Sequence, residues 1–418
     1  MLNRFRIAGW IAPLRLPKDV LAVLTITVAS SFGNGALAPL LGEISNEFNI
    51  SFTALGALIS GFAIARLVID LPAGGLIDRI RIHMMFYTGG LLSIIGVVVS
   101  ALAPIYPLLF AGRFIEGSGA GVASAAAQAY VARRAPEHER GRMLGSISAA
   151  IMLGGFLSPA IVGVVASFAG WRFGLLATVL PTLVALGLVT RHVKHRTTAT
   201  HSTNFSHKLH TLVYTPGRLL FINLMTIALA FSIFGFKAVY YPVYGTQVLG
   251  LEPALVGIAI SISTLLRFPI AIAAGALSDK FGRVRVYVPS ALFMGLVSVL
   301  VSLSDNATTY VLFGLAFGLG GGAVPMVTSM VVDRTPRERL GVALGTHAFL
   351  RDIGVAITPL LLGLTIDGIG YRASALGLLA FATLSAGLAI AIGDASPRHR
   401  DSTAKTASSG SKRPTGSS

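Results

Sequence analysis

The stretch PAGGLIDRIRI, residues 72–82, decides how this chain is read. Apolar sequence flanks it for about twenty residues on either side, the length that crosses the hydrocarbon core of a bilayer. Here glycines, an aspartate and two arginines interrupt it. A second copy, AAGALSDKFGRVRV, begins at Ala273. A charged interruption between two apolar runs, repeated about two hundred residues later, marks a membrane-surface loop in a duplicated membrane protein.

The bulk composition agrees. The chain has 418 residues, 54% of them hydrophobic and 12% charged, and its mean hydropathy is +0.76. Soluble domains carry about a quarter charged residues. Twelve apolar runs are long enough to span, near 20–41, 53–76, 84–103, 106–131, 143–168, 173–190, 219–243, 254–276, 286–304, 307–331, 342–366 and 371–393. Strands of a barrel would alternate instead. The fold class expected is therefore an all-α membrane protein of twelve transmembrane helices.

The first residues, MLNRFRIAGWIAPLRLPKD, are basic and lack the compact apolar core of a cleavable signal, so residues 1–19 are expected to form an interfacial segment. With no cysteine, disulfides, thiol chemistry and zinc sites of the Cys type are excluded. The net charge of +16 has a topological origin rather than a nucleic-acid one: 26 of the 33 Lys and Arg fall in the termini or in alternate loops, at 79–81, 133–142, 191–218, 280–285 and 334–339. Basic residues gather at the cytoplasmic ends of spans. Both termini are thus expected in the cytoplasm, in the cytoplasmic membrane, and no nucleic-acid partner is needed.

Repeats set the domain plan. Arg66, Gly74 and Asp78 recur as Arg267, Gly275 and Asp279 at an offset of 201, and Pro136, Gly141, Gly145, Gly154, Pro159, Gly163 and Arg172 recur at an offset of 200. Two six-helix bundles follow, at 20–190 and 219–393, crossing in the same direction and related by an axis along the membrane normal. Parallel halves of this kind belong to transporters with a substrate site between them. Residues 191–218 read as a polar, basic cytoplasmic linker, and 394–418 as a disordered tail rich in Ser, Thr and Gly.

These residues resemble the major facilitator superfamily, whose loop between the second and third helices of each half has the form G-x-x-x-D-[RK]-x-G-[RK]-x-[RK]. The second copy here carries Gly275, Asp279, Lys280, Gly282, Arg283 and Arg285; the first has Gly74, Asp78 and Arg79, but Arg81 replaces the glycine. The resemblance implies that Gly74, Asp78, Arg79, Gly275, Asp279, Lys280, Gly282 and Arg283 form a cytoplasmic latch between the halves. Two further patterns point to drug:proton antiporters. RFIEGSGAG from Arg113 is similar to the fourth-helix R-x-x-Q-G-x-G with Glu116 for Gln, and Gly145, Gly154, Ser158-Pro159 and Gly163 follow the fifth-helix glycine pattern with two replacements.

Charges within spans are costly and must be placed as site or as structural pair. There are eight, Arg66, Asp70, Arg113, Glu116, Lys237, Arg267, Arg351 and Asp352, a surplus of two positive charges. Arg66 and Asp70 are four apart on one helix and read as an intrahelical pair. Asp352 is the expected partner of Arg267, with Arg351 and Asp352 dividing between latch and cavity. Arg113 and Glu116, three apart, share a helix face; with Lys237 they lie on helices that line the central cavity in proteins of this family, where a carboxylate beside an arginine can load and release a proton. Lys237 reads either as a holder of an anionic substrate group or as a snorkelling side chain. Asn34 on the first helix is either a packing amide or a substrate contact, and FGLGGGAVP at 317–325 predicts a break in the tenth helix.

Five of the nine histidines fall in the linker without acids nearby and are discounted as metal ligands. No glycine run has the phosphate-loop form, so no ATP or other cofactor is expected. The expectation is a monomeric, proton-coupled secondary transporter exporting a small organic molecule, with proton-linked uptake of an anionic or neutral nutrient as the alternative.

Overall fold

The computed structural model describes residues 16–76, 81–136, 139–193 and 215–394, and within them all side chains except those of residues 70–76, 140 and 337. Among the described residues every long element is a helix. In the first half these are α1 (Lys18–Ala36), α2 (Leu41–Phe48), α3 (Phe52–Leu76), α4 (Ile82–Ala101), α5 (Tyr106–Arg134), α6 (Arg140–Ala169), α7 (Trp171–Leu176) and α8 (Val179–His192). In the second half they are α9 (Arg218–Gly235), α10 (Tyr241–Val243), α11 (Pro253–Phe281), α12 (Arg283–Val301), α13 (Ala307–Leu319), α14 (Ala323–Asp333) and α15 (Leu340–Ile392).

Ten stretches are long and apolar enough to cross a membrane. Two more crossings complete the twelve. Helix α5 is 29 residues long but carries Arg113, Glu116 and a run of small residues, while α15 turns at Gly370, where a φ of 79° ends one helix and begins the next. Gly170 does the same between α6 and α7 with φ 84°. A left-handed backbone at both positions, 200 residues apart, requires glycine and makes the duplication visible in the chain path. Large apolar side chains such as Phe168, Leu180, Ile272 and Ile369 are exposed, as a lipid-facing surface requires.

The expected break in the tenth span is present: a 3-10 turn at Gly320–Gly322 separates α13 from α14. Because the chain enters α1 at the face where α3 ends and α4 begins, one face of the bundle collects Arg133, Arg134, Lys280, Arg283, Arg285, Arg334 and Arg339; it is called here the basic face.

The halves meet at the opposite face. There α3 crosses α15 and α6 crosses α11, and four glycines permit the approach: a Cβ on Gly56 would strike the Pro359 carbonyl, on Gly363 that of Phe52, on Gly163 that of Pro253 and on Gly257 that of Pro159. Hydrogen bonds repeat with the same symmetry. Asp367 accepts from the N–H groups of Phe52 at 3.0 Å and Thr53 at 2.8 Å, and Ser167 Oγ accepts from Ala254 at 3.0 Å. Ser60 Oγ accepts from Leu360 at 3.1 Å, and Ser261 Oγ from Ala160 at 3.0 Å. The first-turn N–H groups of Phe52, Thr53 and Ala254 lack intrahelical partners, so Asp367 and Ser167 satisfy groups that would otherwise need water.

At the basic face the halves stand apart. A Cβ on Gly141, Gly145, Gly341 or Gly345 would meet nothing within 4 Å. Helix α14 packs on α9, α11, α12 and α15 of its own half. One apolar cluster joins Leu40, Ile44 and Leu55 of the first half to Tyr240, Tyr244 and Val256 of the second. The other, around Val20, Phe86, Tyr130 and Val189, contains first-half residues alone.

Gly282 opens α12 at φ 103°, and the Asp394 carboxylate sits where its Cβ would be while accepting from Val284 N–H at 2.9 Å. Arg81, at the equivalent place, opens α4 with an ordinary extended backbone, φ −62°. The missing glycine of the first copy is thus accommodated by a different helix entry. Asp78 and Arg79 lie outside the described residues, as do most of the linker and the terminal segments.

Candidate functional site

Helix α5 packs tightly because it is built of small residues around two charges. Cβ atoms at Gly112, Gly117 and Gly119 would collide with α3 or α4, so Arg113 and Glu116 are carried to the middle of the first bundle. Their side chains are 1% and 3% exposed, and Arg113 Nη1 lies 2.5 Å from Glu116 Oε2. The guanidinium also donates to the Gly33 carbonyl at 3.3 Å and rests 4.7 Å from the Phe62 ring centre. A pair stripped of water in this way holds together only because its charges neutralise each other and find extra donors and acceptors.

The second carboxylate oxygen, Oε1, lies against the Cα of Gly33, where a Cβ would overlap it. Beside it is a polar crevice of about 10 Å³ lined by Ser30, Gly33, Ser93, Glu116, Thr178 and Thr182, the size that admits one water. The pair was expected on the wall of the central cavity. The structure places it inside the first bundle, among α1, α3, α4 and α8, because the glycines of α5 draw those helices over it. Asn34, the next residue along α1, is exposed and makes no hydrogen bond among the described residues.

Lys237 sits in a π-helical turn, Phe236–Tyr240, and its Nζ donates to Thr264 Oγ1 of α11 at 2.5 Å. The snorkelling alternative does not describe it. One turn further along α11 lies Arg267, whose stem packs where Gly321 has no side chain.

Arg267 does not pair with Asp352, contrary to expectation. Asp352 binds its own neighbour, with Arg351 Nη2 2.9 Å and Nε 3.0 Å from Asp352 Oδ1. The 100° between adjacent residues separates their Cα–Cβ directions, but the long arginine stem folds back across it. Both are half exposed at the basic-face end, so the division of this pair between latch and cavity does not hold either.

Arg66 donates to Ser124 Oγ at 3.1 Å; the side chain of Asp70, its expected partner, lies outside the described residues, as does any Cβ environment of Gly74. The second latch loop is held within its own half. Arg283 bonds Asp279 at 2.7 Å, Asp333 at 3.2 Å and Ser278 Oγ at 2.6 Å, and Lys280 lies 5.2 Å from the Phe281 ring. No described contact of this loop reaches the first half, since the basic face is parted in this conformation; Gly275 faces open space.

Further polar arrangements join helices of the second half, and His347 among them is a possible ninth ionisable group within the spans. His347 bridges Thr226 at 3.3 Å and Thr328 at 3.4 Å, tying α9, α14 and α15. Tyr241 and Tyr310 stack 4.1 Å apart and exchange hydrogen bonds with each other's carbonyls. On the basic face a cavity of about 410 Å³ is lined by Arg283, Pro325, Thr328, Ser329, Val332 and Asp333. Among the described residues no cluster of three His, Asp or Glu could hold a metal.

The sequence matches the Major Facilitator Superfamily over residues 23–273 and 220–416, and the chain belongs to that family. It is a multi-pass membrane protein and a secondary transporter by that membership. It is similar to the quinolone resistance protein NorA of Staphylococcus aureus, 23% identical over 80% of this chain and 86% of that one. Multidrug resistance protein 2 of Bacillus subtilis is 24% identical over 84% and 89%. Among solved structures, a bacterial homologue of the human lysosomal transporter Spinster in an inward-facing, unoccupied conformation superposes with a TM-score of 0.71 at 14% identity, over 90% of this chain and 96% of that one. A D-xylose–proton symporter superposes with a TM-score of 0.68 at 16% identity, over 92% and 98%.

Proposed function

We propose that this protein exports small organic molecules across the cytoplasmic membrane in exchange for protons, by alternating access. The basic face is assigned to the cytoplasm on the Lys and Arg bias of its loops, which makes the present conformation open to the cytoplasm and closed outside. A carrier that collects its substrate from the cell interior needs this state. Two relatives with resistance proteins' names support export as the direction.

The observation that carries the coupling is the buried Arg113–Glu116 pair, with Glu116 lining a water-sized polar crevice. A carboxylate whose one charged partner among the described residues is an arginine, held 2.5 Å away, is a group whose protonation changes when rocking of the bundles separates or rehydrates it. The two Gly33 contacts tie that event to α1, which leads through the half-to-half junction at Ala38–Leu40.

The test uses the purified chain in proteoliposomes with an imposed pH gradient and a panel of cationic, neutral and anionic compounds. Addition of a transported compound dissipates the gradient in the wild type. Glu116→Gln abolishes that proton flux while substrate binding persists. Proton exchange of wild-type size by Glu116→Gln contradicts the assignment.

A further inference from the structure

We propose that the transported molecule carries an anionic group, and that Lys237 and Arg267 together hold it. The proposal rests on the transport reading and names the substrate class of that transporter.

Both residues sit in the middle stretches of spans, on adjacent helices of the second half. Lys237 projects from the π turn that continues α9, and its Nζ reaches Thr264 Oγ1 at 2.5 Å. Thr264 donates in turn to the Ile260 carbonyl at 2.7 Å, so its lone pairs face the ammonium. Arg267 stands three residues beyond Thr264, one helical turn along and on the same face of α11. The ammonium held by Thr264 and the guanidinium one turn along the same face of α11 are thus like charges on one stretch of the helix. No carboxylate pairs with either residue among the described residues: Glu116 is held by Arg113, and Asp352 by Arg351. The guanidinium of Arg267 makes no hydrogen bond to the protein among the described residues.

Two like charges side by side without a counter-ion are unfavourable inside a membrane, where even one is costly. The local backbone is nevertheless shaped to keep them there. A π turn is a rare local distortion found most often at functional sites, and it is this turn that presents Lys237. The Gly320–Gly322 turn provides the other wall, since a Cβ on Gly321 would collide with the Arg267 stem. Pro269 lies two residues beyond Arg267 inside α11 and removes one backbone donor there. Phe236, next to Lys237 in the π turn, stacks on Phe317 at 3.9 Å, and both rings are buried. A ligand with a carboxylate or comparable anionic group on an apolar body suits this place within the spans: the anion neutralises the two cations, bidentate on the guanidinium.

A matched set of probes tests this: 2-naphthoate, 2-naphthamide and 2-naphthylmethylammonium, which share an apolar body and differ in charge. Binding to the full chain in nanodiscs is read by thermal stabilisation, alongside inorganic phosphate at equal ionic strength. The expected result is that naphthoate stabilises the wild type at concentrations at least tenfold below the amide, and the cation does not. Lys237→Met and Arg267→Met each lose tenfold or more of naphthoate affinity and leave the amide unchanged, while Lys237→Arg retains naphthoate binding. Equal response to naphthoate, amide and cation overturns the proposal, as does an anion preference untouched by both Met variants, or stabilisation by phosphate as strong as by naphthoate. If a Met variant does not fold, the wild-type charge preference and Lys237→Arg still decide it. Failure of the transport reading is a separate result: no compound of any charge dissipates a pH gradient in proteoliposomes. Movement of the amide or the cation without the acid leaves transport standing and removes the anion site.

Discussion

The Asp367 carboxylate accepts from both the backbone N–H and the hydroxyl of Thr53, at 2.8 and 2.6 Å, across 314 residues of chain. It caps the first turn of α3 from the far half of the molecule, and Ser167 caps α11 in the same manner. A helix N-terminus carries a partial positive charge, so Asp367 holds the closure opposite the basic face by a charge-assisted contact that exists only while α3 and α15 are together.

Asp367→Ala is therefore expected to weaken the closure opposite the basic face by about 1 kcal/mol, the usual worth of a cap, a shift of roughly fivefold in the closed-to-open ratio. Ser167→Ala acts the same way with a smaller effect, its acceptor being neutral. The chain has no cysteine, so a single introduced cysteine pair across α3 and α15 reports the change as a loss of cross-linking yield. Unaltered yield in Asp367→Ala removes the clamp role.

Gly56→Ala or Gly363→Ala puts a methyl into a crossing backbone carbonyl and costs about 1–3 kcal/mol of overpacking strain. Gly145→Ala is the control. Its Cβ faces open space, and a helical glycine replaced by alanine gains roughly 0.5–1 kcal/mol. Thermal unfolding in detergent separates the two sets by the sign of the change in Tm.

Arg113→Ala leaves Glu116 buried without its partner, a loss of about 3–5 kcal/mol for a stranded buried charge. Arg113→Met combined with Glu116→Leu restores most of that stability, because it removes both charges, and still exchanges no protons. Stability is read by unfolding and exchange by a pH-sensitive dye inside liposomes. A double variant no more stable than Arg113→Ala contradicts the buried-pair account.

Gly282→Ala forces an L side chain to φ 103° and into the Asp394 carboxylate, which is expected to lower stability by about 1–3 kcal/mol. Arg81→Gly, at a position already in extended backbone, is expected to be neutral. The same unfolding measurement compares them.

The architecture was legible in the sequence because it rests on patterns the membrane imposes. Spans must be apolar and about twenty residues long, and a duplicated chain repeats its glycines in register, as Gly170 and Gly370 do with the same left-handed backbone. The i,i+3 spacing of Arg113 and Glu116 was likewise enough to place them as a pair. What the sequence did not contain was orientation across helices. Arg351 and Asp352 found each other because a flexible guanidinium stem overrides a 100° separation, and that left Arg267 beside Lys237. Asp367 and Ser167 look like ordinary loop-end polar residues until the crossing of α15 over α3, and of α11 over α6, brings helix N-termini to them. The position of Arg113 and Glu116 inside one bundle rather than on the cleft wall depended on rotation about α5, which periodicity in so small-residue a helix does not fix.

Distances across both faces under a proton gradient test the account most directly. Spin labels at 141 and 341 report the basic face, where both positions look onto open space; labels at 102 and 303, whose leucines are 69% and 61% exposed, report the other. The account predicts that a gradient driving exchange shortens the first distance and lengthens the second together, and that Glu116→Gln uncouples this response from pH. Two distances that stay fixed under every gradient and compound, or that lengthen together, would contradict alternating access in this protein.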